Sequence, residues 1–253
     1  MSTNDDGSHS VAQWLTEARE LVVAFRAALV PVIPVLQSLG DAVSAKVQEY
    51  QELKDRWEQD APVILKGAIH AQGLIVPVTQ MSHPDLVGLL ELNRDRGDVA
   101  VVERIRRLYD EIFDGPEFLE NIESTWAANQ HLQRRLPLLR QALKAHRLGL
   151  FGVSIPTLVA QFEGLVVDMM GHAGKMTFDQ LKAFVATLAA PDTLTGAMLT
   201  SFVNDAFLAR FHHGLPIPPF SRHAILHGGD VDYATELNSR TAILLIDHVS
   251  SLG

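Results

Sequence analysis

No stretch of five or more residues alternates apolar and polar side chains convincingly; almost every long segment repeats its apolar residues at helical spacing. A half-buried strand needs period two, so this pattern directs the chain to an all-α fold. Proline, glycine and capping residues cut it into about ten helices. Helices are expected over 11–30, 35–58 and 62–72, with Pro31 and Pro34 breaking the first pair. Ser82 is an N-cap for the next, and Gly97 interrupts it before DVAVVERIRRLYDEIF, where Val101, Ile105, Leu108 and Ile112 share a face. Asp114, Gly115 and Pro116 mark a turn, and EFLENIESTWAANQHLQRRL reads as one further helix. Pro137, Pro156, Thr177 and either Asp192 or Thr193 open the following ones, and Asp232 or Thr235 caps the last. A soft boundary between about 114 and 137 separates an N-terminal helical region, 1–125, from a C-terminal bundle, 126–253.

Composition narrows the chemistry. The 253 residues contain no cysteine, which removes disulfides, thiolate metal sites and cysteine nucleophiles. The formal net charge of −9 argues against a generic duplex-binding protein, so any nucleic-acid contact must use a local patch. The opening MSTNDDGSHS lacks the basic and apolar regions of a signal peptide, and a cytoplasmic location is expected. LVVAFRAALVPVIPVLQSL, Leu21 to Leu39, has the length of a membrane span. It carries Arg26, Pro31 and Pro34 in its interior and reads as buried helix, with no membrane association. Walker A, dinucleotide-binding and nucleophile-elbow motifs are missing, so no nucleotide hydrolase, dehydrogenase or serine hydrolase is indicated, and no cofactor is expected.

Chemistry concentrates in SRHAILHGG, Ser221 to Gly229. Ser221 can cap a short helix that Gly228 ends in the left-handed conformation. Arg222, His223 and His227 then ride on about two turns. His223 and His227 share a face, whereas Arg222 and His227 lie about 140° apart round the axis. They converge only if the arginine curls back or a two-fold partner supplies a second copy. The histidine pair also has metal-ligand spacing, with His212, His213 and Asp230 nearby. Ala224, however, stands where a zinc protease helix carries its glutamate, and no metal is expected.

Arg222, a polar His223, then Ala224, Ile225, Leu226, His227 and Gly228 resemble the hallmark motif of the HEPN superfamily. The longer pattern RHAILHG, DY, NS, LLIDHV, with SIPTLVAQFEG upstream, resembles a group of bacterial HEPN-like, abortive-infection-type proteins. The resemblance covers residues 126–253. It implies a helical bundle that acts as a metal-independent endoribonuclease in toxin–antitoxin or anti-phage systems. It also implies a homodimer with the motif at the shared cleft, and an antitoxin or regulatory partner. Some members keep the fold without nuclease activity, so a non-catalytic interaction or nucleotide-binding module is the alternative.

The residue types suit RNA cleavage. A histidine titrates near neutral pH and can move protons, which fits His227. Arginine presents a charged fork to phosphate, which fits Arg222, with His223 orienting or assisting. Glu163, among Phe162, Leu165, Val166 and Val167, needs a partner, and Arg222 is a candidate. Tyr233 could contact a base or phosphate. In some HEPN members a tyrosine two residues beyond the histidine is modified by a partner enzyme; Tyr233 is six beyond His227, a departure from that pattern. Leu132 to Phe162 has no acidic residue, and Arg140, Lys144 and Arg147 fall on one face. That face is either an RNA track or a solvated surface paired with carboxylates elsewhere.

Overall fold

The computed structural model describes residues 19–21, 23, 37–48, 51–52, 72–189 and 194–252. All regular structure among them is helical, with no strand, in agreement with the period of the sequence. The chain divides into two units, Met1–Leu53 and Lys54–Gly253. The boundary anticipated at 125/126 falls inside the second. In the first unit 37–48 is helical, and Leu39, Val43 and Val47 are exposed along it. Most of the helices expected over 11–30, 35–58 and 62–72 lies outside the described residues, as does most of the apolar stretch 21–39; the parts that are described are helical except Gln72, which lies in a turn.

The second unit holds the core. Helix α1 (His83–Phe113) opens with a full capping box: Asp85 N–H donates to Ser82 Oγ, and Ser82 N–H donates to Asp85 Oδ2 at 3.0 Å. It is broken at Gly97, whose φ of 74° only glycine adopts cheaply. α2 (Phe118–Ala128) stops earlier than its sequence suggests, because Asn129 leaves the helix. The Asn129 side chain accepts from His131 N–H and donates to Ser250 O, trading helix continuation for a tether to the last helix. α3 (Leu136–Arg147) follows, with proline in its first turn, and Gly149 (φ 70°) reverses the chain.

Next come α4 (Phe151–Met169), α5 (Phe178–Ala189), α6 (Leu194–Phe202) and two final helices, α7 (Arg222–Leu226) and α8 (Glu236–Ser250). Thr177 and Gln180 cap α5 reciprocally. The cap expected at Asp192 or Thr193 lies outside the described residues. Thr235, not Asp232, caps α8 by accepting from Asn238 N–H. Ser239 and every residue from Thr241 to Ser250 are buried, so α8 runs through the interior, packed by α1, α2, α3 and α4. Trp126 of α2, wholly buried, donates its indole N–H to Asp247 of α8 at 3.2 Å.

α4 begins five residues before Pro156, which therefore sits inside it rather than at its start. Proline has no N–H to offer the carbonyl four residues back, here Gly152 O. Tyr233 supplies the missing donor: its hydroxyl bonds Gly152 O at 3.2 Å. α4 is the one helix among those described that is long and apolar enough to cross a membrane, yet it packs against α3, α5 and α8 and buries Ile155, Leu158, Phe162, Leu165 and Val166.

Candidate functional site

Two local irregularities aim the polar residues. After α6 the chain makes a π-helical turn, Val203–Phe207, closed by Leu208 N–H on Val203 O at 2.7 Å. Such widened turns redirect a helix end and recur at functional sites. This one delivers Arg210, Phe211, His212 and His213 to the start of the α6–α7 loop. At the other end of the loop Phe220 holds φ 54°, a left-handed conformation costly for a residue with a Cβ. Its buried ring packs on Phe202 and Phe207 with centroids 6.2 and 6.0 Å away, which fixes the turn.

Ser221 then does two jobs. Its hydroxyl donates to Ala209 O at 2.9 Å and accepts from Ala224 N–H at 3.3 Å, capping α7 while tying it to the segment before Phe211. α7 is two turns or less, and Gly228 (φ 69°) ends it as its sequence requires. Gly229 N–H and Asp230 N–H both close on Ala224 O. A Cβ at Gly229 would meet the Phe211 ring, so any larger residue there requires that ring to move.

Arg222 is half-buried, and its Nη2 meets Glu163 Oε2 of α4 at 2.6 Å. The pair that the sequence offered as a candidate is thus formed. Arg222 Nε is buried without a partner. His223 and His227 stack edge to face, with ring centroids 4.4 Å apart at 80°. His227 is exposed at the C-terminal cap of α7. His223 Nδ1 accepts from Phe211 N–H at 3.4 Å, which leaves the proton on Nε2. Burial holds the His223 imidazole below its ordinary pKa, reinforced by the charges of His227, Arg222, His212 and His213. Arg222 and His227 share no hydrogen bond, as their 140° separation on the helix suggests.

Beside α7 is a pocket of about 250 Å³. Arg222, His223, Arg210 and His212 give it polar groups, and Phe178, Leu208 and Phe211 give it apolar walls. The Arg210 guanidinium lies over the Phe178 ring, 5.8 Å from its centre. The role of Arg210, Phe178 and Phe211 is not evident from the motif itself. The run RFHH immediately upstream of the loop is the signal that could have found two of them.

The remaining candidates lie elsewhere. Arg140 and Arg147 share one carboxylate, Glu123 of α2, at 3.0 and 3.5 Å, while Lys144 is exposed between them. Their face is thereby partly neutralised, and no hydrogen bond or ion pair among the described residues joins it to α7. Tyr233 has its hydroxyl engaged by Gly152 O rather than free for a ligand. Asp230 accepts from Asp232 N–H at 2.9 Å in a local turn. Among the described residues no three His, Asp or Glu side chains group as metal ligands. No protein-family model, curated protein or solved structure matches this chain.

Proposed function

We propose that the chain is a metal-independent endoribonuclease of the HEPN type, working as a cytoplasmic homodimer in a toxin–antitoxin or anti-phage setting. The observation that carries this reading is the arrangement on α7: an exposed His227 braced by His223, five residues from an Arg222 that Glu163 holds at the rim of a pocket. Cleavage forms a bond from the 2′-oxygen to phosphorus and breaks the bond from phosphorus to the 5′-oxygen. The proton lost by the 2′-hydroxyl is balanced by one gained at the departing oxygen. His227, in contact with solvent, is assigned to proton transfer. Arg222 is assigned to the phosphate, whose charge grows in the transition state. His223, fixed by Phe211 N–H, orients His227 and offers only an Nε2–H donor.

The non-catalytic module is the second reading, and one observation favours it: Glu163 already pairs with Arg222. RNA cleavage in the presence of chelator separates the two. Wild type should cut, and Arg222→Ala and His227→Ala should each lose 100-fold or more, roughly the worth of a general acid–base group. Equal activity in the His227→Ala variant would dismiss the assignment.

A further inference from the structure

We propose that the pocket between α5, the 208–212 segment and α7 is a nucleobase subsite, receiving the base beside the scissile phosphate and preferring guanine. Its position next to the cleaved bond rests on the ribonuclease reading; its capacity to bind a base does not. A volume of about 250 Å³ is below that of drug-sized ligand sites and suits one flat ring system. The walls are Phe178, Phe211 and Leu208, which would add nothing to a bare phosphate. Single-stranded RNA is commonly read by stacking splayed bases on aromatic rings and arginine planes. Phe178 supplies such a ring, and the Arg210 guanidinium, 5.8 Å from its centre, supplies donors beside it.

The polar lining sets the preference. Arg210 and Arg222 only donate, His223 has its acceptor nitrogen taken by Phe211 N–H, and His212 adds one imidazole with a single donor and a single acceptor, so donors outnumber acceptors. No carboxylate lines the space. Arg210 has no ion-pair partner among the described residues, and it is exposed, so its fork is open to a ligand. Guanine places two acceptors, O6 and N7, side by side, which an arginine fork matches; adenine puts an amino donor in place of O6. Glu163 faces Arg222 and so leaves Arg210 as the reader of the base.

The test is calorimetric titration of the full chain with guanosine 5′-monophosphate, adenosine 5′-monophosphate and ribose 5-phosphate. Guanosine monophosphate should bind roughly tenfold more tightly than ribose 5-phosphate, the factor that one stacked base is typically worth. Arg210→Gln, a surface change, should erase the difference between the two nucleotides. Phe178→Leu should weaken both nucleotides and leave ribose 5-phosphate unchanged. Equal binding of all three probes, no binding of any, or an unaltered preference in Arg210→Gln overturns the proposal. Titration needs no catalysis, so the two ideas fail separately. A wild type that cuts RNA but ignores the base loses the subsite; one that selects guanosine monophosphate but cuts no RNA loses the ribonuclease.

Discussion

Tyr233→Phe removes a single hydroxyl, and its effect follows from Pro156. The ring nitrogen of Pro156 cannot donate to Gly152 O, so the carbonyl depends on Tyr233 Oη at 3.2 Å. A neutral hydrogen bond contributes about 1 kcal/mol net, and Gly152 is exposed enough for water to compete, so the loss should be ~0.5–1 kcal/mol. The background tests the cause. In Pro156→Ala the backbone N–H of residue 156 can reach Gly152 O, and Tyr233→Phe should then cost close to nothing. Urea unfolding followed by far-UV circular dichroism on the four proteins gives a double-mutant cycle, with an expected coupling of about 0.5–1 kcal/mol. RNA cleavage by Tyr233→Phe should remain within about twofold of wild type, because the hydroxyl serves the helix and not the substrate. An identical cost in both backgrounds would falsify the account, and a large loss of cleavage would return Tyr233 to the site.

Three further outcomes are expected. Burial first, then Arg240 and Arg147 against the opposing Glu236, pushes His146 down to about 4, and burial alone does the same to His248. The unfolded chain, with ordinary values near 6.5, binds more protons between pH 4 and 6.5, so stability is full above 6.5 and falls by up to roughly 3 kcal/mol per histidine towards pH 4. Asp247, whose carboxyl burial pushes up, works in the opposite sense, contributing stability at low pH that is lost as pH rises. Urea midpoints that do not differ between pH 7.5 and 5, or an unchanged slope in His146→Gln, would refute this. Gly229→Ala forces a methyl into the Phe211 ring and should cost ~1–3 kcal/mol, with weakened pocket binding; thermal melts and titration read both. Finally, if Arg222 of one copy serves His227 of the other, mixing Arg222→Ala with His227→Ala should restore about a quarter of wild-type cleavage. Half the dimers are mixed, and each has one intact composite site. No recovery on mixing places the whole site within one chain.

The helices were legible wherever local rules decide. Ser82, Gly97, Thr177, Ser221 and Gly228 act through their own backbone or the next turn, so their roles could be read from neighbours in sequence. The errors have a different origin. Pro156 marks a helix start by every local criterion, but Tyr233, 77 residues on, satisfies the carbonyl it orphans, and the helix runs through. Asn129 ends α2 because Ser250 O is there to receive its amide. Neither partner has any local signature. The π turn after α6 is likewise invisible, since VNDAF is compatible with an ordinary helix and the extra residue is imposed by the packing of Phe202 and Phe207 on Phe220.

The site divides along the same line. Spacing alone put His223 against His227 and set Arg222 apart from His227; the structure stacks the two histidines and shows no hydrogen bond between Arg222 and His227. It could not say which way Arg222 would go. Glu163 decides that by pairing with the guanidinium from α4, while Arg222 still lines the pocket. A phosphate at Arg222 must therefore compete with a carboxylate 2.6 Å away, or accept the half of the fork that Glu163 leaves. That constraint favours a ligand that brings binding of its own. A base seated against Phe178 and Arg210 would hold the phosphate at Arg222 where the arginine, already paired, would bind a free phosphate weakly.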